Sequence, residues 1–475
     1  MEEKKTNSAV ETTTYEPVPS EQRRPWTSIM FIWMGSAICV PALMVGGMIG
    51  AGMKIGPAFL AMIAGFVLVC IYMILIGIQG SDLGMPTTAI FSRAFGERGS
   101  TVASGLVIAI CGIGWFGVQT TVCGTAFCTI LKDFCGVDFP IWLSDTIWGV
   151  AMLLTAVYGI KIIDFLNKIA VPALLIMLVW GLIVALKGDA VEVLRNYEPA
   201  APITFIGGTT LAVSGFAVGA VLSSDYTRYS RSRGDTIKSS VLGVLPASIL
   251  VLGIGGILTQ TTGNYDLTVM FSGIGLPLVG LLCLILATWT TNCGNAYSGG
   301  IAIVGVFKMK DDKRAIVTLI AGAIGTVLSI VGIMNYFTPF LSFISVLVPP
   351  MAGVVIADYW ILGKGKKEDW KPFKGVNWLG LISWACGTAF GMAFNFLIPT
   401  INAVIVAMIV YFILIKLVKS EKVMKIGRKI VVIISASPEN WWKSDKNAYK
   451  CWNPILDRVS YSGKFIDYNG NEYDR

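Results

Sequence analysis

Histidine is absent from the chain, and only 14% of its 475 residues are charged. A soluble domain carries about 25% charged residues. The shortage of charge excludes a soluble globular protein. Together with 55% hydrophobic residues and a mean hydropathy of +0.70, it marks an integral membrane protein. Without histidine, and with ten cysteines that show no metal-ligand spacing, the usual zinc sites are excluded too. Nine of those cysteines lie in or beside apolar runs and read as small buried hydrophobes. A secretory leader is not expected either: residues 1–25 are polar, carry both charge signs and show no small-residue cleavage pattern.

What the chain does have is long apolar runs. A spanning helix needs roughly 20 apolar residues, and the runs support about twelve spans. They lie near 28–51, 56–79, 101–131, 140–160, 163–186, 203–223, 238–261, 275–293, 315–334, 337–357, 376–397 and 399–418. With the N-terminus in the cytoplasm and twelve crossings, 33 of the 37 Lys and Arg fall on the cytoplasmic side. Only Lys54, Lys132, Lys187 and Arg195 stay outside. That asymmetry is the positive-inside rule, so the net charge of +8 reports orientation. Basic residues scattered over seven segments do not make a nucleic-acid surface. The expected organisation is a disordered cytoplasmic N-tail (1–25), one membrane domain (26–418) and a cytoplasmic C-terminal tail (419–475). The expected location is the cell membrane, with both termini inside.

Two spans carry helix breakers. The first reads Met34-Gly35-Ser36-Ala37-Ile38-Cys39-Val40-Pro41, and the sixth carries Ser214-Gly215-Phe216-Ala217-Val218-Gly219. Proline inside a helix frees a backbone carbonyl, and glycine permits unwinding. Interruptions at matching places in two halves point to a midplane site between inverted repeats, and spans 1 and 6 match under a five-plus-five repeat. Ordinary glycine-mediated packing is the other reading.

Charged residues inside the apolar runs are few. Trp289-Thr290-Thr291-Asn292 stands in a run with no charged residue, extending from Leu267 to Phe307. Such polar residues are costly in a bilayer unless they bind something. Neutral oxygens suffice for sodium, because hard cations take oxygen ligands. The Thr290 and Thr291 hydroxyls, with carbonyls freed near Gly35 and Ile38, would supply them. No titratable side chain is expected at the middle of a span, which favours sodium over protons as coupling ion. Asp225 and Asp358 fall at span ends. Trp115 and Gln119 share a helix face at i, i+4. That face can stack a flat ring and bond its edge, or simply pack. Phe216 is the natural second wall, and the Asn292 amide a further polar contact.

At these residues the chain resembles nucleobase–cation symporter family 1, in its bacterial cytosine permease branch. The resemblance covers about residues 22–418. Its segments are Gly114-Trp115-Phe116-Gly117, Ser224-Asp225-Tyr226-Thr227-Arg228-Tyr229, Trp289-Thr290-Thr291-Asn292, and Val348-Pro349-Pro350 through Gly353-Val354-Val355-Ile356-Ala357-Asp358-Tyr359. It implies an all-α membrane fold with a ten-helix inverted-repeat core of the sodium symporter type, broken helices 1 and 6, two peripheral helices and alternating access. It implies sodium held by the carbonyls of Gly35, Ile38 and Ala287 and the hydroxyls of Thr290 and Thr291. The solute ring would stack between Trp115 and Phe216, with Gln119, Asn292, Gly215 and Cys39 around it.

Similar cytosine permeases carry glutamine where Gly112 stands, serines at Gly215 and Val218, phenylalanine at Cys39 and aspartate at Cys293. The expected protein is therefore a sodium-coupled importer of a small planar nucleobase, cytosine first. A purine, hydantoin, allantoin or thiamine-precursor pyrimidine is the alternative cargo. No cofactor beyond the coupling ion is expected, and no enzyme activity.

Overall fold

Where the sequence is apolar the chain is helical, because a bilayer leaves backbone N–H and C=O groups no other partner. The computed structural model describes residues 17–158, 160–264, 267–272, 277–310, 313–394, 396–418, 464–466 and 472–474. The first four helices are α1 (Trp26–Ala37), α2 (Val40–Gly52), α3 (Ile55–Leu83) and α4 (Thr87–Phe95). Next come α5 (Glu97–Cys135), α6 (Ile141–Tyr158), α7 (Ile160–Ala185), α8 (Ala190–Asn196), α9 (Phe205–Val221) and α10 (Ser224–Thr227). The second half holds α11 (Arg233–Thr262), α12 (Leu267–Ser272), α13 (Pro277–Phe307), α14 (Arg314–Ile330), α15 (Phe337–Leu347) and α16 (Pro349–Ile356). A π-helical turn at Ala357–Leu362 precedes α17 (Trp378–Ala393) and α18 (Pro399–Val418). A two-stranded antiparallel ribbon, β1 (Lys464–Ile466) and β2 (Glu472–Asp474), lies in the C-terminal tail. The rest of that tail, and residues 1–16, lie outside the described residues.

Among the described residues, six helices are long and apolar enough to cross a bilayer, or up to eight when each bent pair counts as one span. Four further apolar helices, α6, α9, α14 and α17, are shorter. Each expected span coincides with a helix or a helix pair.

The break in span 1 falls where the sequence put it. α1 and α2 meet at 60°. Ile38 and Cys39 between them have left helical backbone, at φ −87°, ψ 84° and φ −145°, ψ 160°. The last bond of α1 runs from the Ile38 N–H to the Met34 carbonyl, 3.0 Å. Pro41, at the second position of α2, has no N–H to extend the ladder backwards to Ala37.

Span 6, expected to be broken at its glycines, is a continuous helix. α9 runs unbroken through Ser214–Gly219 and stops at Val221. A lone glycine costs a helix only about 1 kcal/mol, less than orphaning a carbonyl in hydrocarbon. Gly215 is also backed by Val45, whose side chain stands 3.4 Å from where a Cβ would be. The chain turns only beyond Val221, where hydroxyls tie it to α3. Ser223, Ser224 and Thr227 donate their hydroxyls to the α3 carbonyls of Met73, Ile76 and Gly77 at 3.0, 3.0 and 2.8 Å.

Helices pair by close backbone approach. α5 packs along α13, α2 along α11, α3 along α9 and α17 along α18. A side chain at Gly46 would collide with the Leu252 carbonyl, and one at Gly255 with the Leu43 carbonyl. The second half of the broken span is thereby held against α11 with no slack.

The end of the bundle that carries the loop charges is tied by ion pairs. Arg93 of α4 meets Asp358 at 2.8 Å, and Tyr411 donates to the same carboxylate at 3.0 Å. Arg233 grips Asp82 through two hydrogen bonds of 2.8 and 2.7 Å, and Tyr359 adds a third at 2.6 Å. Residues 17–25, expected to belong to a disordered tail, are bound into this end. Val18 N–H donates to the Gly84 carbonyl at 2.9 Å, Arg24 N–H to Tyr229 at 2.7 Å, and the Arg23 guanidinium to Ser81 at 2.7 Å and Ser230 at 3.2 Å.

Candidate functional site

The polar residues stand on α13 and α5, which pack along one another, and α13 also touches α2. On α13, Thr290 and Thr291 both donate their hydroxyls to one acceptor, the Ala287 carbonyl, at 3.0 and 2.9 Å. Hydroxyls three and four residues after a carbonyl reach back to it along the helix. Three oxygens thus converge within hydrogen-bond distance, with Thr288 and Asn292 near them in the chain. Thr290 and Ala287 are buried and Thr291 half-buried. Gly35 and Ile38 lie at the end of α1, where helix bonding stops. Of the two, Ile38 is buried and Gly35 has open space on its side-chain face.

Trp115 and Gln119 sit one turn apart near the middle of α5. Trp115 is half-buried, its ring edge-on to Phe337 and Phe340 at 5.8 and 5.5 Å. Gln119 is 1% exposed, and neither its Nε2 nor its Oε1 has a hydrogen-bond partner. Leaving a buried polar group unpaired costs about 1–3 kcal/mol. An amide with both ends orphaned offers one donor set and one acceptor, in a plane, to something else.

Phe216 is half-buried on α9, with its ring against Trp33 at 6.2 Å and Phe66 at 6.1 Å. The two expected walls, Trp115 and Phe216, each pair with other rings. Trp33 was not singled out by sequence. It is 1% exposed on α1, with its indole N–H unpartnered. Its place five residues before the break was the available signal. Cys39 is half-buried in the break itself.

Asn292, expected to reach the solute, turns its amide elsewhere. Its Nδ2 donates to the Phe116 carbonyl at 3.0 Å, the Thr120 hydroxyl at 3.1 Å and the Met152 sulfur at 3.2 Å. Two amide hydrogens shared among three acceptors leave no donor for a ligand. Next to it Cys293 is fully buried, its thiol 3.4 Å from the Met152 carbonyl.

Asp145 is a second finding that mid-span reasoning passed over. It sits in the second turn of α6 and is 1% exposed. Ser329 of α14 donates to its Oδ2 at 2.8 Å, and its Oδ1 has no partner. A cavity of about 300 Å³ between the α7–α8 bend and the end of α11 includes none of the expected site residues in its walls, which are formed by Lys187, Asp189 and Thr262 among others.

A span broken at its centre, converging oxygens on α13 and an orphaned amide on α5, in an all-helical membrane fold, are features of a transporter. Known proteins agree. The family model described as permease for cytosine/purines, uracil, thiamine, allantoin matches residues 17–414, and the chain belongs to that family. It is a permease and no enzyme.

Among its relatives, the cytosine permease of Escherichia coli K12 is 27% identical over 401 residues, covering 84% of this chain and 93% of that one. The hydantoin permease of Microbacterium maritypicum is 25% identical over 406 residues, 78% of this chain and 81% of that one. Among solved structures, the inward-facing conformation of Mhp1 has a TM-score of 0.72 at 23% identity, covering 83% of this chain and 91% of that one. Mhp1, described as a nucleobase-cation-symport-1 family transporter, is also similar in a closed conformation with bromovinylhydantoin bound. That likeness has a TM-score of 0.66 at 22% identity over 84% and 94% of the two chains.

Proposed function

We propose that this permease imports a small planar nitrogen heterocycle, cytosine first, by sodium symport and alternating access across the cell membrane. The observation that carries the reading is the orphaned amide of Gln119, one turn from the half-buried ring of Trp115. A planar solute stacked on the indole would present its ring edge to that amide and satisfy both of its ends. The solute set is Trp115, Gln119, Phe216, Gly215 and Cys39. Sodium is held by the hydroxyls of Thr290 and Thr291 and the carbonyls of Ala287, Gly35 and Ile38. The hydroxyls now turned to Ala287 would rotate their lone pairs to the ion. Sodium orders the α1–α2 break against α13, and the ordered state binds the solute, closes and opens inward. Each ligand then tightens the other by the same factor.

Relatives named for cytosine and for hydantoin support a flat ring with polar edges and leave its identity to competition uptake. The test is uptake of radiolabelled cytosine into cells expressing the chain, with hydantoin, allantoin, a purine and a pyrimidine as competitors. Failure of every such ring to enter or compete sinks the reading.

Proton coupling is a second reading, and Asp145 favours it, as a carboxylate buried in a span. Replacing sodium by choline at fixed pH separates the two. Concentrative uptake that persists in choline removes the sodium site.

A further inference from the structure

Asn292 stands one residue beyond the paired threonines of α13, and its side chain is fully buried. Its acceptors on α5, the Phe116 carbonyl and the Thr120 hydroxyl, each directly follow a residue of the proposed solute set. Phe116 follows Trp115, and Thr120 follows Gln119. Successive helix residues are about 100° apart around the axis. Asn292 therefore grips the face of α5 adjacent to the one that bears the indole and the orphaned amide. The Phe116 carbonyl has two lone pairs, one for the helix and one for this bond. Asn295 steadies Asn292 from one turn further on, donating to its Oδ1 at 3.3 Å. The backbones are close here as well: a Cβ at Gly112 would stand 2.9 Å from the Asn295 carbonyl. At that spacing α5 and α13 cannot slide independently.

We infer that Asn292 is a positioning residue, and not a solute contact. It fixes the Phe116–Thr120 turn of α5 to the Thr290–Thr291 turn of α13. An ion captured by the α13 hydroxyls then sets the attitude of the Trp115–Gln119 face. The inference rests on the assignment of solute and ion sites proposed above.

The experiment uses the full chain in proteoliposomes, with cytosine, hydantoin, allantoin and adenine as solutes and competitors. Asn292→Leu keeps the bulk and removes the donor. Its half-maximal concentration should rise about tenfold for every solute, the scale of one buried hydrogen bond, with the ratios between solutes unchanged. The factor by which sodium tightens solute should fall by a similar amount.

Altered ratios would mean that Asn292 touches the solute, and would overturn the inference. So would unaltered affinity and sodium coupling. Thr120→Val removes one acceptor with little change of shape, and it stands in if Asn292→Leu does not fold. It should move both quantities in the same direction by a smaller factor, and no movement overturns the inference too. Wild-type protein that takes up none of these solutes with sodium overturns the site assignment itself, and the inference with it. Normal wild-type transport with unmoved variants overturns the role of Asn292 alone.

Discussion

Ser329 donates its hydroxyl to the carboxylate of Asp145 at 2.8 Å, joining α14 to α6. Thr121 of α5 shares a second hydrogen bond with Ser329 at 2.7 Å, so three helices meet at one polar point. Asp145 is the carboxylate that the proton-coupling reading would use, and its replacement tests that reading. If sodium drives transport, Asp145→Asn, which keeps the shape and an acceptor for Ser329, leaves concentrative uptake and its sodium curve intact. Uptake that loses its concentrative power in this variant points to the carboxylate as a proton carrier.

Gln119→Leu should separate stability from function. Removing an unpaired buried amide stabilises the solute-free protein by about 1–3 kcal/mol. The same change removes the edge contact, so the KM for uptake rises. Thermal unfolding without solute, alongside uptake kinetics, measures both. A fall in solute-free stability would mean that the amide already has a partner.

Trp115→Ala should weaken solute binding by the worth of one stacked ring, about 1–3 kcal/mol, which is roughly a 5- to 150-fold rise in KM. The half-saturating sodium concentration in the absence of solute should not change. Scintillation proximity binding reads the first, and sodium-dependent thermal shift the second.

Thr291→Val keeps the volume and deletes one of two hydroxyls that converge on Ala287. The sodium concentration for half-maximal uptake should rise about tenfold or more, on the scale of one lost charge-assisted contact. Solute affinity at saturating sodium should stay near wild type. An unchanged sodium curve removes Thr291 from the ion site.

The buried pair Arg93–Asp358 ties α4 to the π-helical turn. Breaking such a pair from one side costs about 3–5 kcal/mol, because the other charge is left buried. Arg93→Met should therefore lower the melting temperature sharply, and Arg93→Met with Asp358→Asn should recover much of the loss. A double variant no better than the single would show that the two charges are not coupled.

The spans and the first break were legible in sequence because each depends on a local quantity. Apolar length sets a span, and Pro41 cannot donate the bond that would carry the helix through Ile38. The break expected in the sixth span is absent because glycine only permits unwinding. The turn after α9 is tied by the hydroxyls of Ser223, Ser224 and Thr227 to α3 carbonyls that no local window contains. Asn292 was recognised as unusual, but not which way it points. When a helix is apolar on every side, composition does not fix its rotation, and one residue of rotation is about 100°. Asp145 was missed because a lone acid near a helix end looks like an ordinary boundary charge until Ser329 arrives from α14.

The anchoring of residues 17–25 bears on how this protein is handled. The stretch before Trp26 has the polar composition of a disposable leader, but Arg23 bridges the last turn of α3 and the link into α11 through the Ser81 and Ser230 carbonyls. A purification tag is best joined upstream of Pro17. A truncation that begins at the first apolar residue would remove this clasp and leave the Arg233–Asp82 pair to join α3 and α11 at that end.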